Sequence, residues 1–142
     1  MNILLLAVNS NTFFYSQVVT PFGLASLGSY VEKNGYAIRG IEMNTPPDRI
    51  LERYLKVDPE IMGRIVEFSP DLVGMSTYST NIHNVLFWAG EIKKRLPSTW
   101  IALGGNHASY IAQEILETCP AVDFVVRHEG EIAFKRLCEE LS

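Results

Sequence analysis

Five apolar runs alternate with segments of helical period along the chain. Ile3 to Val8 is continuously apolar, which predicts a strand buried on both faces. Asn9 to Thr20 is a polar and aromatic loop. Pro21 opens a helix that runs to about Lys33 and stops at Asn34-Gly35. Ala37 to Met43 is the second strand. Asn44-Thr45-Pro46-Pro47-Asp48 turns the chain into helical segments between about Arg49 and Phe68, broken near Asp58-Pro59. The third strand, Leu72 to Ser76, follows Ser69-Pro70-Asp71. A helix from about Asn81 to Leu96 carries Ile82, Val85, Leu86, Ala89 and Ile92 on one face, and Pro97 ends it. Trp100 to Leu103 is the fourth strand, a helix runs from about Ser109 to Thr118, and Asp123 to Val126 is the fifth strand. The last helix spans about Glu131 to Leu141.

Strand and helix thus alternate five times. This order predicts an α/β fold: a parallel sheet with helices on both faces. Right-handed crossovers and five strands favour a flavodoxin-like (Rossmann-like) sheet of order 2-1-3-4-5. In such sheets ligands sit beyond the carboxyl ends of the strands, at the switch point between the first and third.

The length of 142 residues suits one domain with one sizeable core, and no linker or repeat divides it. A net charge of -4 with no basic stripe argues against nucleic acid as a partner. Lys93-Lys94-Arg95, the one basic cluster, suits the last turn of a helix. Cys119 and Cys138 form no CxxC, so two reduced thiols in a cytoplasmic protein are expected. The apolar start at Met1 lacks basic residues and is too short to span a membrane, so no membrane association is expected.

The chemistry gathers at the strand ends. Asn9-Ser10-Asn11 follows the first strand, Ser76-Thr77-Tyr78-Ser79-Thr80 the third, Gly104-Gly105 the fourth, and Arg127-His128-Glu129-Gly130 the fifth. Two glycines at a strand end let another molecule approach the backbone. Helix N-termini there add free N–H donors. The edge holds amides, hydroxyls and glycine rather than carboxylates paired for acid–base work. No G-x-G-x-x-G follows the first strand and no GKS or GKT occurs, which excludes a dinucleotide fingerprint and a P-loop. Ser76 stands where a phosphoacceptor receiver domain needs Asp.

Four blocks resemble one family. The helix block Pro21 to Tyr36, Asp71-Leu72-Val73-Gly74-Met75-Ser76, Leu103-Gly104-Gly105-Asn106-His107-Ala108 and Val122 to Glu131 are similar to cobalamin (vitamin B12)-binding domains. The likeness is to those at the N-terminus of cobalamin-dependent radical SAM enzymes, in the same order and over nearly the whole chain. It implies a flavodoxin-like domain with the cofactor's nucleotide tail between sheet and helices and the corrin over the strand ends. Ser76 and Gly104-Gly105 map onto the tail's polar and close-approach contacts. The loop Asn9 to Tyr15, including Asn11 and Phe14, maps under the corrin. Gly23, Leu24, Thr77, Tyr78, Ser79, His107, Arg127, His128, Glu129 and Gly130 complete the expected cofactor-binding set.

The departures carry information. Methionine synthase and the mutases place D-x-H-x-x-G after the first strand, and its His ligates cobalt. Asn9 to Thr20 contains no His, so no protein His ligand to cobalt is expected. His128 stands where the family has glycine. The C-x-x-x-C-x-x-C that holds the radical SAM iron–sulfur cluster is absent, so no such cluster is expected in this chain. The resemblance therefore implies residues 1–142 as one cobalamin-binding domain, the N-terminal part of a longer protein whose radical SAM catalytic domain is the partner.

The residues also admit plainer readings. His107 can cap its helix start, and His83 and His128 can be solvated. Glu129 and Glu131 suit a helix N-terminus, and Phe13-Phe14-Tyr15 can pack on the sheet edge. A flavodoxin-like domain for a flavin or nucleotide, or a ligand-free interaction domain, is the alternative to cobalamin binding.

Overall fold

The computed structural model describes residues 1–10, 21–43 and 54–142. In chain order they form β1 (Asn2–Ala7), α1 (Phe22–Lys33), β2 (Ala37–Glu42), α2 (Pro59–Phe68), β3 (Leu72–Ser76) and α3 (Ile82–Arg95). There follow β4 (Trp100–Gly104), α4 (Asn106–Tyr110), α5 (Ala112–Thr118), β5 (Phe124–Val125) and α6 (Gly130–Leu141). The five strands pair in parallel in the order β2-β1-β3-β4-β5, the flavodoxin-like order that the alternation predicted. The expected loop after Ser10, with Asn11 and Phe14, lies outside the described residues. So do the turn at 44–48 and the helical start at 49–53.

Side chains of successive strand residues point to opposite faces, so each strand feeds two cores. Leu4, Leu6, Val73, Met75, Ile101 and Leu103 pack with Met62 and Ile65 of α2, with Val85, Trp88 and Ile92 of α3, and with Ile115 of α5. On the other face, Ile3, Leu5, Leu72 and Ala102 pack with Leu24 and Val31 of α1 and with Phe134 and Cys138 of α6. Burial on both faces is why β1 and β3 read as unbroken apolar runs.

Several strand and helix ends shift by a residue from the sequence reading, and the chain after β4 differs more. The helix after β4 starts at Asn106 rather than Ser109, because Gly105 at φ 90° turns the chain within one residue. That helix is also broken: Ile111, at φ -111° and ψ 27°, separates α4 from α5. β5 is two residues, not four, although Asp123 N–H still donates to Ile101 O and Val126 N–H to Leu103 O. The break near Asp58-Pro59 is a helix start. Asp58 caps α2 by accepting from the N–H groups of Glu60 and Ile61, with Pro59 in the first turn.

Candidate functional site

The face of β3 and β4 that looks toward α1 and α6 is lined by small residues. Gly74 and Ser76 alternate on β3, and Ala102 and Gly104 lie beside them in register on β4. Small side chains on two adjacent strands cannot reach the helices above, so a cavity of about 220 Å³ opens there. Gly23, Leu24 and Leu27 of α1 form one wall. Gly130, Glu131 and Phe134 of α6 form the other, and Ser26 Oγ donates to Glu131 Oε1 across the gap at 3.2 Å. Tyr78, Asn106, His128 and Glu129 stand at its margin.

Gly105 makes the tightest approach in this cradle. A Cβ there would stand 2.7 Å from Thr77 O and 2.9 Å from both Ser76 Oγ and Thr77 N. Gly104 is different: a Cβ would meet only Val126 O, at 3.6 Å. At Gly74 a Cβ would press on Leu5 Cδ2 at 2.9 Å and on the Phe134 ring at 3.3 Å. At Gly105 and Gly74 the protein itself fills the room a Cβ would take, whereas Gly23, Gly104 and Gly130 leave it nearly open on the groove.

The expected site residues fall into three groups. Gly23, Leu24, Ser76, Tyr78, Gly104, Gly105, His128, Glu129 and Gly130 line the cavity. Asn9, Ser10, Thr77, Ser79, His107 and Arg127 are at the same edge but do not line it. Asn11 and Phe14 lie outside the described residues. Asn9 Oδ1 accepts from Asn84 Nδ2 at 2.8 Å, and Ser10 Oγ donates to Thr80 O. Ser79 Oγ and His107 Nδ1 are 3.3 Å apart. Thr77 is fully buried, with its hydroxyl committed to protein partners. His128 is exposed and left-handed at φ 60°, a conformation that side chains other than glycine rarely hold.

Sequence reasoning missed Gly74, Ala102, Leu27 and Phe134 as lining residues. The signal was present in part: Gly74 and Ser76, and Ala102 and Gly104, are small residues at period two. It also missed two asparagines, Asn81 at the cap of α3 and Asn84 in its first turn. Asn81 Nδ2 donates to Val8 O and Ser76 O, and Asn81 Oδ1 accepts from Tyr78 N–H. The buried Asn84 joins Asn9 to Leu55 N–H. These amides fix the ends of β1 and β3 beside each other, at the switch point. Among the described residues, no group of three or more His, Cys, Asp or Glu side chains could hold a metal ion.

Fold and cavity together define a doubly wound domain with a cleft between the carboxyl halves of β3 and β4 and helices α1 and α6. The profile of the B12 binding domain family matches residues 15–138, and the chain belongs to that family. It is similar to an uncharacterized methyltransferase of Pyrococcus horikoshii, with 32% identity over 86% of this chain and 25% of that protein. It is also similar to the cobalamin-dependent radical SAM methyltransferase TokK of Streptomyces tokunonensis, with 33% identity over 55% of this chain and 11% of that protein. The chain spans about a quarter of the length of the first of these. Among solved structures, a putative pilus assembly-related protein of Burkholderia pseudomallei superposes with a TM-score of 0.62. That superposition covers 99% of this chain and 88% of the other at 16% identity, and it bears on the fold alone.

The family resemblance read from the four sequence blocks is therefore borne out. The domain is a cobalamin-binding module, and a flavin, nucleotide or ligand-free reading is not favoured. No helix among the described residues is long and apolar enough to cross a membrane.

Proposed function

We propose that this domain holds cobalamin across the carboxyl edge of its sheet and orients the corrinoid for methyl transfer or radical chemistry. A separate radical SAM catalytic domain would carry out that chemistry. The carrying observation is the cavity between the small-residue face of β3–β4 and helices α1 and α6, in a chain of the B12 binding domain family. It suits the nucleotide tail: the floor offers backbone and the Ser76 hydroxyl, and the walls offer Leu24, Leu27 and Phe134 as apolar cover. Gly23, Gly104 and Gly130 would allow close approach, Gly105 would keep the cradle tight against Thr77, and Tyr78, His128 and Glu129 would stand at the mouth. Asn9 and Ser10, at the end of β1, would begin the segment under the corrin, and His107 would lie beside the tail, with Ser79 and Arg127 at the same edge.

Cobalamin, when bound, supplies a cobalt centre able to carry a methyl group or support radical reactions. The protein's own part is binding and orientation. No protein imidazole is expected on cobalt, because Asn9 to Thr20 contains no His. No iron–sulfur cluster is expected in this chain, whose two cysteines cannot make a C-x-x-x-C-x-x-C. The greater length of the methyltransferase relatives supports a reading of residues 1–142 as the N-terminal part of a longer protein.

The test is an absorbance titration of the purified domain with hydroxocobalamin, with flavin mononucleotide in parallel. Saturable binding of the corrinoid alone is expected. Flavin binding without corrinoid binding would overturn the reading.

A further inference from the structure

We propose that Thr77 and Ser109 are positioning residues for the cobalamin groove, bracing the ends of β3, β4 and the β5–α6 turn without touching the ligand. The inference rests on the binding reading above and adds the residues that hold the groove in shape.

Thr77 is 0% exposed. Its hydroxyl has one proton to give, and gives it to Gly104 O at 2.8 Å. Thr77 Oγ1 itself accepts from Ala108 N–H at 2.8 Å. Thr77 N–H also donates to Gly104 O, at 2.8 Å, so this carbonyl is held from two directions. The bond to Ala108 does a particular job. The first N–H groups of a helix have no partner within it, and a side-chain cap normally meets one of them. Gly105 is the cap residue of α4 and has no side chain. Thr77 supplies the missing cap from the neighbouring strand.

Ser109 continues the chain of bonds. Its hydroxyl donates to Gly105 O at 2.9 Å and accepts from His128 N–H at 3.1 Å. His128 is the left-handed residue of the β5–α6 turn, and such a conformation persists only where its surroundings hold it. The bonds therefore run from the end of β3, through Gly104-Gly105 and the first turn of α4, to His128. Gly104, Gly105 and His128 line the groove, whereas Thr77 and Ser109 stand outside its lining. The glycine cradle and the His128 turn are thus each braced by a hydroxyl that stands outside the groove.

The experiment uses Thr77→Val, which keeps the shape and loses the hydroxyl, together with Thr77→Ser and Ser109→Ala. Amide hydrogen exchange is read on the unliganded protein by NMR, and affinity by hydroxocobalamin titration. In Thr77→Val, exchange at Ala108 should quicken and affinity should fall, each by about tenfold, while Ile101 stays protected. Thr77→Ser should recover both. Ser109→Ala should quicken exchange at His128 and weaken binding, and it carries the same test should Thr77→Val fail to fold. Parent-like affinity in Thr77→Val or Ser109→Ala, with the amide exposed, would overturn the positioning role while leaving the binding reading intact. Failure of Thr77→Ser to recover would overturn it as well. A parent protein that binds no hydroxocobalamin would overturn the binding reading, and this role with it.

Discussion

Adjacent glycines at the end of β4 should answer differently to the same methyl group. Gly105→Ala adds a Cβ at φ 90° and ψ 175°, a backbone region held almost only by glycine, where an L side chain costs roughly 1–3 kcal/mol. The same Cβ would lie 2.7 Å from Thr77 O and 2.9 Å from Thr77 N. Those are backbone atoms of the adjoining strand end and cannot swing aside. Relief requires the ends of β3 and β4 to part, loosening the bonds from Thr77 N–H and Oγ to Gly104 O, each worth about 1 kcal/mol. The sum predicts a destabilisation of about 3 kcal/mol or more. Gly104→Ala meets only Val126 O at 3.6 Å, an ordinary contact, and its φ lies outside the left-handed range. Its cost should stay below about 1 kcal/mol, and relief of glycine's entropy can offset it. Yet Gly104 lines the groove, so its methyl should weaken hydroxocobalamin binding with the fold intact. Urea denaturation followed by far-ultraviolet circular dichroism measures the first quantity, and absorbance titration the second. Gly105→Ala within about 0.5 kcal/mol of the parent would refute the geometry argued for this turn.

Three further outcomes are expected. Bound cob(II)alamin should show no nitrogen superhyperfine splitting in its EPR spectrum; splitting that vanished in His107→Ala would identify an axial imidazole and refute the expectation. Burial pushes the Cys138 thiol up to about 11, whereas the unfolded thiol ionises from about 9. The thiol's contribution is therefore complete below pH 9 and lost as pH rises toward 11, by at most ~2–3 kcal/mol. The stability difference between parent and Cys138→Ala should shrink between pH 8 and 10.5, and a constant difference would contradict it. Asp58→Ala removes the side-chain cap of α2 and should cost about 1 kcal/mol in urea denaturation, with no change in cobalamin affinity.

Much of this domain is written in local pattern. The continuous apolar runs at Ile3 to Val8 and Leu72 to Met75 announce strands covered on both faces, and helix-period segments between them demand parallel crossovers. Those two facts favour the sheet order that the structure shows. Composition at the strand ends then locates the ligand edge, because polar, hydroxyl and glycine residues replace apolar ones where each strand stops.

What local pattern cannot carry is the division of labour within that edge. Gly104 and Gly105 are identical in sequence, yet only Gly105 faces the backbone of a strand that is 28 residues away in the chain at Thr77. Thr77 reads as a polar strand-end residue like Ser76. The pleat sends Ser76 to the groove and leaves Thr77 buried, capping a helix from another segment. Gly74 and Ala102 line the floor because β3 and β4 pair in register and α1 and α6 span the face above them. The sequence by itself determined the strands, most of the helices, their order along the chain and the edge where polar and glycine residues gather, since these follow from periodicity and chain continuity. Tertiary structure alone decided which residues line the groove and which support it, because each role depends on contacts with atoms distant in the chain.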